Sequence, residues 1–198
     1  MWALIEDGSI TKLINNPRGM IIDDIQYSRN IFSLWSVAEK EAKGIYKVVF
    51  NNTKKKDEEY YLNTNQSFAF ADGTVTASYG DATAKAHADT LFTADDEDNG
   101  LGTEGEVKVE GLKTKKIRIL KSLAPGILAE TDWYIVRKAD AGTSVPSAIT
   151  NHRAAVRTKC AEMETAITNA SNTAAIETLY TRNNSGVRPL GDLPTLEV

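Results

Sequence analysis

Two Asp-Gly pairs constrain this chain more than any other feature. Asp7-Gly8 separates WALIE from SITKLI, and Asp72-Gly73 separates QSFAFA from TVTASY. An Asp-Gly pair supplies the positive backbone angles that a two-residue hairpin turn demands, so each predicts two antiparallel strands. The flanks have the required period of two: Phe68 and Phe70 share one face of their arm, and Val75, Ala77 and Tyr79 share one face of theirs.

One helix signal interrupts this β texture. In WSVAEKEAKGIY, Ser36 is a candidate N-cap, Glu39 closes a capping box and Gly44 offers a left-handed C-cap, which together predict a short helix over 37–43. Trp35 lies outside the cap and is expected to pack as a core or staple residue. IYKVVF follows as a strand of branched and aromatic residues.

Near Asp81 alanine-rich segments replace the aromatic hairpins. The expected organisation is a β-rich domain over 1–81 and a helical domain over 82–198, an α+β chain of 198 residues. A helix is expected from Ala82 to Asp95, then an acidic, glycine-rich solvated connector over 95–106. Asp95, Asp96, Glu97 and Asp98 are oxygen donors, but they lack the alternating spacing and distal glutamate of a calcium loop. Val109, Leu112, Ile119, Leu120 and Leu123 recur at helical intervals and predict one amphipathic helix over 107–123, stopped by Pro125-Gly126. A second long helix is expected from Pro146, with Thr143 and Ser144 as nearby caps and Ile149, Val156, Met163, Cys160 and Ile167 as its apolar stripe. TAAIETLY predicts a short helix capped by Asn172, and an extended, proline-punctuated tail is expected over 183–198.

Charge and composition exclude several functions. The formal net charge is -4 and the sequence pI is about 5.3, which argues against a nucleic-acid partner. The run Lys54-Lys55-Lys56 is cancelled at once by Asp57-Glu58-Glu59 and reads as a solvated loop. The opening MWALIEDGSITK has no basic, apolar export pattern and no stretch is apolar enough to span a bilayer, so a cytosolic product without membrane partners is expected. Cys160 is the only cysteine and reads as a small buried hydrophobe.

No catalytic constellation emerges. His87 and His152 are each expected in a helix without converging metal ligands, His152 as a surface or boundary residue. Nucleophile-elbow, phosphate-loop and dinucleotide motifs are missing from the sequence, so no catalytic residue, metal ligand or cofactor is assigned and a non-enzymatic role is expected.

The segment AETDWYIVRKADAGTSVPSAITNHRAAVR carries Thr131, Asp132, Trp133, Tyr134, Arg137, Gly142, Pro146, Arg153 and Arg157. Over Leu128 to Lys159 it resembles a C-terminal signature of bacteriophage tail-fibre assembly proteins. MWALIEDGSITKLI and NIFSLWSVAEKEAKGIY look like N-terminal parts of uncharacterised marine phage tail proteins, although this N-terminal half differs from that of the best-known fibre chaperones. The resemblance implies a protein that helps a tail fibre fold or attach, acting in the host cytoplasm during assembly. The alternative is a permanent virion component, a tail adaptor or fibre-tip module retained in the tail.

Trp133, Tyr134, Arg137, Arg153 and Arg157 are the candidate partner-binding residues, since Trp, Tyr and Arg are enriched at interface hot spots. Trp133 is expected chiefly to pack between its flanking helices, whereas Tyr134 and Arg137 fit docking or structure equally. The expected partner is a tail fibre or other tail protein. Homo-oligomerisation is expected too, because helices this short are marginal without packing partners.

Overall fold

A computed structural model describes residues 1–196. The chain is α+β and divides into two compact units, Met1–Thr83 and Ala84–Val198.

The first unit is built on the two Asp-Gly turns. β1 (Trp2–Glu6) and β2 (Ser9–Ile14) pair antiparallel across Asp7-Gly8. β3 (Met20–Ile22) and β4 (Ile25–Tyr27) form a second hairpin. Two short helices follow, α1 (Ile31–Leu34) and α2 (Val37–Glu41), and then β5 (Ile45–Asn51) and β6 (Tyr61–Leu62). β7 (Ser67–Ala71) and β8 (Thr74–Ser78) pair across Asp72-Gly73, and β9 (Thr83–Ala84) ends the β-rich part. All four turn residues have positive φ, the geometry that matches the natural twist of a hairpin. The β3–β4 hairpin has no glycine in its turn; Asp23 and Asp24 both take positive φ there, which aspartate tolerates better than most side chains.

The main sheet has the order β2-β1-β5-β8-β7, with β5 and β8 parallel and the other pairs antiparallel. Its edge strands β2 and β7 approach within 8 Å, so the sheet curls toward closure. The two-residue period of β1 sends alternate side chains to two cores. Leu4 joins Ile14, Met20, Ile22, Ile31 and Ile45, with Trp2, Tyr27 and Trp35 packed on that cluster. Ala3 joins Val48, Val75 and Ala77, edged by Phe68 and Phe70. The Ser36–Glu39 capping box forms as expected, and α2 ends two residues short of Lys43.

The expected helix over 82–95 does not form; 84–93 is non-helical, with β10 at Thr90–Leu91. Its polar groups are committed to the start of the next long helix, α4 (Leu112–Ala129). The carbonyls of Ala86 and His87 accept from the N–H groups of Leu112 and Lys113, both at 3.0 Å. Asp89 accepts from Gly111 N–H at 2.6 Å and Thr114 Oγ1 at 2.7 Å. Satisfying helix-end donors that are otherwise orphaned outweighs the helical propensity of the alanines. Gly111 makes the close approach possible, since a Cβ there would lie 2.3 Å from the Ala88 carbonyl.

The expected connector contains α3 (Ala94–Asp98), with a Thr93–Asp96 capping box, and is closed by β11 (Val107–Val109) pairing with β10. Val107–Val109 is therefore strand, not the start of the amphipathic helix. Pro125 and Gly126 lie inside α4 rather than ending it. Leu120 and Ala124 are buried before the proline and Leu128 is half-buried after it, and packing on both sides carries the helix through the missing hydrogen bond.

The quoted aromatic run forms α5 (Asp132–Ala141), closed by Gly142 in the left-handed region. α6 (Ser147–Asn169) begins directly after Pro146, without side-chain caps from Thr143 or Ser144. It buries Ile149, Val156, Met163 and Ile167 as the spacing required, with Cys160 half-buried beside them. α7 (Thr173–Tyr180) carries the expected Asn172 cap, at 2.9 Å from Ala175 N–H. The tail is extended and docked, with Leu190 buried against Leu120, Met163 and Ile167. The last two positions of the expected 183–198 tail lie outside the described residues.

Candidate functional site

Four of the five candidate residues separate into an inner and an outer set around α5, and Arg157 stands apart on α6. Arg153, on α6, is inside. Its side chain is only 10% exposed, and Nη1 donates to the Leu128 carbonyl at 2.6 Å and Thr131 Oγ1 at 2.7 Å. The same nitrogen lies 2.8 Å from Asp132 Oδ1. Thr131 is 1% exposed, and both its N–H and its hydroxyl donate to that Leu128 carbonyl. One guanidinium thus closes the C-terminus of α4 while pairing with an acid in the first turn of α5, both favoured by the helix dipoles. Arg153, expected to face a partner, has its Nη1 committed within the fold, to Leu128, Thr131 and Asp132. Of the matching residues, Thr131, Asp132 and Arg153 shape this corner, Gly142 ends α5 and Pro146 precedes α6.

Trp133, Tyr134 and Arg137 form the outer set. Trp133 is 52% exposed, so the expected packing between flanking helices does not occur. A helix that starts at Asp132 carries position 133 outward while Thr131 takes the buried place. The rings of Trp133 and Tyr134 lie 4.1 Å apart at 36°, and the Arg137 guanidinium stands 5.5 Å from the Trp133 ring centre, one helical turn on. Stacking on the face of the indole leaves the in-plane N–H fork of Arg137 open to a carboxylate. Arg157 is exposed on α6, its Nη1 3.4 Å from the Arg153 carbonyl.

α5 buries none of its side chains. Ile135 is 42% and Val136 64% exposed, continuing the apolar character of Trp133 around the helix. A helix of ten residues is too short to be stable alone, and this one is held by the Arg153 corner at its start and Gly142 at its end. Sequence reading found the aromatic and cationic members of the surface but missed Ile135 and Val136, because an apolar run beside a tryptophan reads as core.

The two histidines lie elsewhere than expected. His87 lies in the non-helical segment over 84–93. His152 is buried rather than superficial, and its Nε2 has no hydrogen-bond partner among the described residues. Among the described residues no group of three or more His, Cys, Asp or Glu converges to hold a metal, and no helix is long and apolar enough to cross a membrane. No protein-family model, curated protein or solved structure matches the chain.

Proposed function

We propose that this chain is a bacteriophage tail protein that works through protein–protein contacts in the assembly or attachment of a tail fibre, without catalysis. The observation that carries the reading is α5. It presents Trp133, Ile135 and Val136 to solvent, with Arg137 stacked on the indole, and buries nothing of its own. Aromatic rings with an adjacent arginine fork form the kind of surface in which a few residues dominate binding. The resemblance over 128–159 supplies the kind of partner, a fibre or other tail protein met in the host cytoplasm. Self-association through the same helix belongs to this reading.

Co-expression with neighbouring phage tail genes, followed by affinity purification, tests it. A fibre protein should co-purify with the unaltered chain. Capture should fall sharply for Trp133→Ala combined with Val136→Asp, with circular dichroism and thermal midpoint preserved. Recovery of the chain alone, with every tail protein left behind, would overturn the proposal. Stoichiometric copies in mature particles would assign it as a permanent tail component, and absence from them as a transient chaperone.

A further inference from the structure

We infer that the loop joining β2 to β3 is a binding site for a small oxyanion, of carboxylate or phosphate type. The inference concerns the first unit and does not rest on the proposed function. The segment from Lys12 to Met20 curls around a cavity of about 250 Å³, lined by Lys12, Asn15, Asn16 and Arg18 with Ile14 and Met20 among the wall residues. Ile14 and Met20 are each 6% exposed and belong to the same core cluster, so both ends of the loop are anchored in packed structure. Pro17 fixes one backbone angle within it. Gly19 backs onto β4, where a Cβ would lie 3.1 Å from the Tyr27 carbonyl. Both ends of the loop are therefore fixed before any ligand arrives, which lowers the cost of binding.

The polar side chains around this cavity are uncommitted. Among the described residues Lys12, Asn15, Asn16 and Arg18 form no ion pair and no side-chain hydrogen bond. No carboxylate lines the cavity. Two cations and two carboxamides around a space with no acid of its own offer charge-assisted donors for an anion on a chain whose net charge is -4. The volume is enough for one anionic group. The chemistry is the same for a free ion and for the end of an acidic side chain.

The test is a titration of the full chain, at fixed ionic strength, followed by backbone and side-chain amide NMR. One arm uses inorganic phosphate and the other an end-blocked tri-glutamate peptide. Saturable shifts centred on Asn15, Asn16 and Arg18 are expected in at least one arm, and the arm that saturates identifies the source. Arg18→Gln should weaken that binding about tenfold. Lys47→Gln, which removes an exposed cation elsewhere in the sheet, should leave it unchanged. These side chains are exposed, so thermal midpoints should hold. Non-saturating shifts in both arms, shifts spread over the exposed lysines, or equal affinity in Arg18→Gln would each overturn the site.

Discussion

The guanidinium of Arg153 and the hydroxyl of Thr131 lie 2.7 Å apart across 22 residues of sequence, and they tie α6 to the corner between α4 and α5. Arg153→Met should destabilise the protein by roughly 2 to 3 kcal/mol, because it removes the donor that the buried Thr131 hydroxyl and the Leu128 carbonyl share. Thr131→Val should cost about 1 to 2 kcal/mol, and the double variant less than the sum. Arg153→Lys should not restore stability, since an ammonium lacks the planar fork. Urea unfolding of the unaltered protein and the four variants checks this; additive losses would show that the two groups act independently.

Trp133→Ala should have little effect on folding. With the ring half-exposed, about 1 kcal/mol or less is expected from lost packing, far below the cost of removing a buried tryptophan. Arg137→Ala should be neutral for stability within about 0.5 kcal/mol. Thermal melts measure both, and a loss as large as that of Arg153→Met would mean that α5 is packed inward in solution.

Gly44→Ala should be the most damaging single methyl group in the first unit. Gly44 has φ of +72°, and a Cβ there would stand 2.3 Å from the Ile5 carbonyl, on backbone that cannot rotate away. The Gly44 carbonyl also accepts from Ile5 N–H at 2.8 Å, so relief by separation would break that bond. Strain and clash together should cost roughly 2 to 4 kcal/mol, read from urea midpoints. Gly8→Ala, equally left-handed but open around the Cβ, should cost visibly less.

Acid should loosen the segment from Thr90 to Val109. The Asp96 carboxyl is lowered from 3.8 to about 2, first by Lys108 and then by the Thr93 N–H. A carboxylate whose folded value is depressed contributes stability that is complete above its unfolded value and is lost as pH falls through the folded one. Amide protection of Thr93, corrected for intrinsic exchange, should therefore hold above pH 3.8 and decline toward about 2. In Asp96→Asn it should be weaker at neutral pH and lack that decline; an identical acid slope in the variant would assign the effect to another group.

Elements with a local cause were legible in the sequence. The turns at Asp7-Gly8 and Asp72-Gly73, the Ser36–Glu39 box, the Asn172 cap and the stripe from Ile149 to Ile167 each follow from residues close together in the chain. The β3–β4 hairpin escaped notice because its turn is Asp23-Asp24, and an acidic pair without glycine reads as charge before it reads as a turn. Of the candidate surface, Tyr134 and Arg137 were legible by residue type alone. The sequence could not say that Trp133 faces outward and Arg153 inward.

What the sequence decided by itself was the period of each segment and the backbone freedom at its turns, since these depend on near neighbours only. What the tertiary structure decided was the use of polar groups over long separations. Ala86, His87 and Asp89 leave helical geometry to satisfy the start of α4, and Pro125 is carried through by packing on either side. Arg153 turns inward because a helix-end carbonyl and a buried hydroxyl together accept from it there. An unsatisfied buried hydrogen-bonding group costs more than a local conformational preference is worth, so where the two conflict the distant partner prevails.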